Sequence, residues 1–308
     1  KDSYHMKGIL MLLMMVVNLS CSENKNLKGQ TENNVVINKI KSDTLTFKSG
    51  IRSIIQDRNG NYWIGSDQEG VCKYDGKNFV YYNTENGFCG KQVIYIKEDS
   101  KGLIWFGTSS GLCSFDGILF SYPSNQVPVS PWKAEDGDLW FPGENDGEII
   151  RINHGELYVH KNPIIVPKGK SSRDYGITGF TKSNHGGVWI SHYFGVVHHD
   201  GKKTTQINDS IMHFDGINEY MHVRSILEDS KGRLWIGNNG IGVQLLENGQ
   251  IKHFSKDLNL YKGDIFKVKS PPGTLMHVFA IKEDSKGRIW FGDRSEEHTS
   301  ELQSPCNL

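Results

Sequence analysis

The sequence lacks any excess of charge, with 35 Lys and Arg set against 35 Asp and Glu in 308 residues. Without a concentrated basic face there is no electrostatic footprint for nucleic acid, and none is expected as a partner. Long apolar runs are also missing. Ile9–Val17 is too short to cross a bilayer, which takes about 20 apolar residues. Beyond it no stretch keeps a helical period. No serine elbow, phosphate loop or HExxH occurs, and Asp57-Arg58-Asn59-Gly60-Asn61 lacks the downstream Glu of a calcium loop. No metal, cofactor or catalytic residue is therefore assigned. Cysteine is sparse. Cys72 and Cys113 occupy one position of neighbouring repeats, and packed sheets lie about 10 Å apart, beyond the roughly 7 Å a disulfide spans. Both are expected as buried free thiols, with Cys89 alone in a loop.

What the chain does hold is glycine, 34 residues, and seven tryptophans. Six of these fall in register as Trp63, Trp105, Trp140, Trp189, Trp235 and Trp290, at intervals of 42, 35, 49, 46 and 55. The frame around them is Asp-x-x-Gly-x-x-Trp-x-Gly, clear from Asp57, Asp99, Asp229 and Asp284 and weaker around Trp140 and Trp189. Such spacing suits a four-stranded blade with loops of varying length. Strand a is apolar, as in Val223–Leu227, and Asp-Ser-Lys-Gly closes a hairpin. Strand b carries the Trp. Strand c ends on Asp-Gly, and strand d is short and aromatic, as in Phe79–Tyr82 and Leu119–Tyr122. One blade exposes two apolar faces, so blades must stack and a ring removes the open ends. The Trp residues are expected between adjacent sheets, since burying one removes roughly 150–250 Å² from water. A Trp-lined sugar platform is the functional alternative. Trp132 lies outside this register and is expected in a loop facing ligand.

The repeat, with Gly-[Leu/Val]-x-x-[Tyr/Phe]-Asp-Gly after it, resembles that of the two-component regulator propeller family. The resemblance covers Ile51–Asp293. It implies an all-β propeller, seven-bladed in the natural protein, with five complete blades and a partial sixth here. It also implies an extracytoplasmic sensory role, with oligosaccharide among the ligands. Val35–Ile37 or Leu45–Phe47 is expected to supply the outer strand of the last blade.

The ends read differently. Residues 1–5 precede the first Met and look like translated upstream sequence. Residues 6–21 read as an export signal whose Leu19-Ser20-Cys21 resembles a lipobox, with Asn18 where an aliphatic residue is usual. Cys21 is then the lipidated residue of a Bacteroidetes-type lipoprotein, held at the outer membrane or cell surface through its lipid alone. Residues 22–34 form a polar tether and 35–293 the propeller. Residues 294–308 break the repeat and resemble a translated sequencing adapter.

Propeller ligands meet the face made by the d–a and b–c loops. The residue before strand a, seven back from the hairpin Asp, is Gly50, Gln92, His222 and His277, with Gly176 in the degenerate fourth blade. The candidate channel face is Gln92, Trp132, Tyr175, His192, Tyr220, His222, Arg224 and His277. His222 and His277 could hold a metal, act as acid and base or bind channel water. Zinc would need further ligands, which the sequence does not identify. The expected function is non-enzymatic binding of a small ligand, a carbohydrate or peptide, or an envelope protein. The alternatives are a metal-dependent lyase resembling virginiamycin B lyase, with His222 or His277 as base, and a surface interaction scaffold.

Overall fold

The computed structural model describes residues 40–123, 132, 134–143, 147–166, 176–208, 211, 221–260 and 274–293. The signal, Cys21, the tether and residues 294–308 lie outside them. The described chain is almost entirely antiparallel sheet. From the inside outward, blade 1 is Ile51–Gln56, Tyr62–Ser66, Val71–Tyr74 and Phe79–Tyr82, and blade 2 is Val93–Glu98, Ile104–Thr108, Gly111–Phe115 and Phe120–Ser121. Blade 4 is Ile177–Lys182, Val188–His192, Gly195–His199 and Thr204–Ile207, and blade 5 is Val223–Glu228, Leu234–Asn238, Val243–Glu247 and Gln250–Lys252. Blade 3 shows three described strands (Leu139–Pro142, Glu148–Asn153, Glu156–Lys161) and blade 6 two (Val278–Glu283, Ile289–Asp293). Inner strands of consecutive blades lie side by side, blade 1 against 2, 4 against 5 and 5 against 6, which gives the radial arrangement of a propeller.

One acidic residue organises each clear repeat. In blade 5, Asp229 Oδ1 accepts the amides of Lys231 (3.0 Å) and Arg233 (2.9 Å), while Oδ2 accepts Trp235 Nε1 at 2.8 Å. Asp57, Asp99 and Asp284 repeat the arrangement, holding Trp63, Trp105 and Trp290 at 2.9, 3.0 and 2.9 Å. The turn closes when Gly232 N donates to Asp229 O at 2.9 Å, with Gly232 at φ 76° where a side chain would be strained. Burial raises the Asp229 carboxyl, but the bonds from Trp235 and Arg233 outweigh it and hold the group below its ordinary range. Asp57 is held low in the same way by Asn61 and Trp63, and Asp284 by Trp290 first.

The indole so fixed packs on the next blade. Trp63 meets Phe106 edge-on at 5.5 Å and Trp235 meets Phe291 at 5.6 Å. Trp105 clusters with Phe141, and Trp140 with Val188 and Ile190. A second link comes from the Glu before each hairpin Asp, which accepts the amide of the residue after the Asp position one blade back. Glu98 takes Arg58 N (2.9 Å), Glu228 takes Asn184 N (2.7 Å) and Glu283 takes Ser230 N (2.8 Å). The Gly after each Trp allows close approach. A Cβ on Gly65 would sit 2.8 Å from Val93 Cβ, and one on Gly237 would sit 2.9 Å from Val278 Cγ1.

Several expectations need correction. Trp63 and Trp235 are 1% exposed, but Trp189 is half-buried and Trp290 is 42% exposed, because no described sheet packs on the far side of blade 6. Leu45–Phe47 is not a strand. Ile40–Ser42 instead pairs antiparallel with Phe79–Tyr81, adding a fifth strand outside blade 1 rather than completing the last blade. The shape of the loop decides this, since Thr46 N donates to Tyr81 Oη at 2.7 Å. Val35–Ile37 lies outside the described residues. Cys113 is not a free thiol and Cys89 is not alone, for the two form a disulfide with Cα atoms 6.1 Å apart. The sheet-spacing argument considered only strand positions, whereas the loop carrying Cys89 folds back onto strand c of its own blade. Cys72 is free and buried, its thiol pushed up to about 12 by desolvation.

Four outcomes follow from this packing. Trp235→Ala should cost about 3–5 kcal/mol in urea unfolding, and Trp290→Ala a small fraction of that. Asp229→Asn should cost about 1–3 kcal/mol by leaving a buried indole N–H without its acceptor. Because these carboxyls are depressed in the folded state, their contribution is complete above the ordinary value of 3.8 and is lost as pH falls below it. Unfolding midpoints measured from pH 6 downward should therefore drop only near and below pH 4. Peptide mapping without reductant should recover Cys89 and Cys113 in one linked peptide and Cys72 in an unlinked one, and recovery of Cys89 and Cys113 in separate peptides would overturn the pairing.

Candidate functional site

The upper face is zipped together by backbone. The residue before strand a offers its carbonyl to the b–c loop of its own blade. Gly50 O accepts Asp67 N (2.8 Å), Gln92 O accepts Ser109 N (3.1 Å), Gly176 O accepts Tyr193 N (3.3 Å) and His222 O accepts Asn239 N (2.8 Å). The residue after the Trp-x-Gly closes the same loop in blades 5 and 6. Asn238 Oδ1 accepts His222 N and Asp293 Oδ1 accepts His277 N, both at 3.0 Å. The second residue of strand a is exposed in blades 1, 2 and 6, at Arg52, Ile94 and Phe279.

His222 and His277 are brought together through Asn239. His277 Nδ1 lies 2.8 Å from Asn239 Oδ1, and Asn239 Nδ2 lies 3.4 Å from His222 Nδ1. His222 is half-buried, packed by Tyr193 at 5.4 Å and Phe194 at 6.4 Å. Burial, then the neighbouring Arg224 cation, lowers its proton affinity. The Arg224 guanidinium lies over Tyr193 (4.8 Å) and Phe279 (5.4 Å). Gln92 belongs to another part of the rim, where its amide donates to Asp67 Oδ1 at 2.7 Å beside the Arg52–Asp67 ion pair of 2.6 Å.

The remaining candidates fall elsewhere. His192 is not in a loop but ends strand b of blade 4, fully buried, with Nε2 3.1 Å from Asn162. Trp132 stacks on Trp140 at 5.0 Å and meets His199 at 4.2 Å, within the contact between blades 3 and 4. Tyr175 and Tyr220 lie outside the described residues. A cavity of about 400 Å³ opens between blades 2 and 3, lined by Ile94, Tyr95, Thr108, Ser109, Phe141 and Pro142. Sequence reading did not single out Asn239, Tyr193 or Phe279 as partners of the histidines. Blade register puts Tyr193 and Asn239 at one shared position, four residues after the marker Trp, and Phe279 at the counterpart of Arg224. Among the described residues no three His, Cys, Asp or Glu side chains could share a metal ion.

Four segments, 47–68, 87–110, 218–240 and 273–295, match the family described as two component regulator propeller. No curated protein matches the chain. Among solved structures, virginiamycin B lyase from Staphylococcus aureus is similar at 15% identity and TM-score 0.56, over 83% of this chain and 81% of the lyase. The extracellular domain of what is described as a hybrid two component system of B. thetaiotaomicron is similar at 15% identity and TM-score 0.51. There 83% of this chain covers 38% of the larger one. These likenesses are of fold.

The imidazoles should separate clearly by NMR. Desolvation pushes His192 down to about 3 and His160 to about 4, so neither ring should titrate between pH 8 and pH 5.5. A protonation step of either ring in that window would mean that it is hydrated and not packed as described.

Proposed function

With four two component regulator propeller repeats in one chain as the premise, we propose that the protein is a non-enzymatic, ligand-binding propeller working outside the cytoplasm. Cys21 anchors it through lipid, and the His222–Asn239–His277 face receives a small ligand, a carbohydrate or a peptide. The observation that carries this reading is the joined pair of imidazoles on the channel rim, with aromatic rings and a cation beside them. Few convergent polar groups among apolar walls are what a small-molecule site requires. The Cys89–Cys113 disulfide supports an oxidising compartment, where such bonds persist.

Binding of the full-length protein to glycan and peptide arrays tests the reading, with His222→Ala and His277→Ala alongside. Each substitution should weaken a captured ligand by about tenfold or more, the equivalent of about 1.4 kcal/mol. A ligand held equally by both variants would move the site elsewhere. Conversion of the ligand, dependent on a divalent metal and abolished by His277→Ala, would replace binding with the lyase reading. Cys21→Ser should abolish incorporation of labelled palmitate in cells.

A further inference from the structure

We propose that Arg224 is a carboxylate receptor, so that the channel-face site selects ligands bearing a carboxylate next to a flat apolar surface. The inference rests on the binding reading above and adds the ligand's chemical class. Its ground is an imbalance among the arginines. Five described arginines each hold a carboxylate: Arg52 with Asp67, Arg58 with Glu98, Arg151 with Glu135 and Asp138, Arg233 with Asp229, and Arg288 with Asp284. Arg224 is the one described arginine with no ion pair, and its Nε is buried without an acceptor. Asp293 of blade 6 spends one oxygen on the His277 amide, keeps its Oδ2 buried without a partner, and forms no ion pair with Arg224.

An uncompensated cation with a desolvated donor is costly unless an anion completes it. The site is built to keep the cation in place. The guanidinium lies over the rings of Tyr193 and Phe279 at 4.8 and 5.4 Å, from the two blades that flank its own. Such stacking fixes the plane of the fork, and a planar fork accepts a carboxylate by two parallel hydrogen bonds. His222 stands beside it and His277 one relay further, so a ligand oxygen next to the carboxylate has imidazole partners. The exposed edge of Phe279 offers an apolar wall for the ligand's ring or side chain.

A carboxylate can come from a sugar acid or from a peptide end, and paired probes distinguish them. The full-length protein is titrated with methyl glucuronoside and methyl glucoside, and with N-acetylphenylalanine and its amide, while the His222 ring signals are followed by NMR. At least one acid should shift those signals, with its neutral counterpart bound about tenfold more weakly or worse. The acid of higher affinity names the source. Arg224→Gln should abolish the preference for the acid, Arg224→Lys should retain part of it, and Arg58→Gln on the opposite face should leave it unchanged. Equal binding of acid and neutral probes, or none of any probe, overturns the proposal. If array ligands still bind through His222 and His277 while the acid preference is absent, only the carboxylate assignment falls and the binding site stands.

Discussion

The bond from an indole N–H to a hairpin aspartate is what the remaining structure depends on. It fixes the ring that packs on the next sheet, and the other oxygen of the same carboxylate shapes the turn that sets the register of strands a and b. A carboxylate that is nearly buried yet fully hydrogen-bonded avoids the penalty of an unpaired buried charge. Local turn chemistry and packing between sheets therefore agree at one side chain, which is the consistency that lets short, weakly patterned strands specify a single arrangement.

The degenerate blades show what happens without it. In blade 3, Asp138 does not hold Trp140 but Arg151 and Asn153. In blade 4, Trp189 donates to Glu228 of the following blade, and the ring is only half-buried. Lys97 of blade 2 donates to Trp140 O at 2.8 Å and lies over the Phe141 and Phe180 rings, where desolvation lowers its proton affinity to about 8. A long cationic side chain thus reaches across the place where the described part of blade 3 shows no inner strand. The 400 Å³ cavity opens beside it.

The repeat was legible because Asp, Gly and Trp each have a distinct physical duty in the four clear copies. The pairing of Cys89 with Cys113 was not, since it depends on the path of a loop that carries no period. Nor was the strand at Ile40–Ser42, whose partner is chosen by the free outer edge of Phe79–Tyr82 rather than by its own short sequence. The candidate site was legible in part. Register marked His222 and His277 as equivalents, but only geometry shows Asn239 between them and Arg224 laid across two rings. His192 was misplaced in sequence reading because the third residue after the marker Trp still belongs to strand b, as Ser66, Thr108 and Asn238 do, and Trp132 because blade 3 departs from the common frame.

The glutamates that close each preceding hairpin all point one way round the ring. Blades 1, 4 and 5 thus each borrow an acceptor from their successor, so this part of the assembly has a direction as a zip has. Damage to one acceptor loosens a single upstream neighbour and stops there, which is how a chain of such units can let individual loops drift in evolution while the stack itself endures.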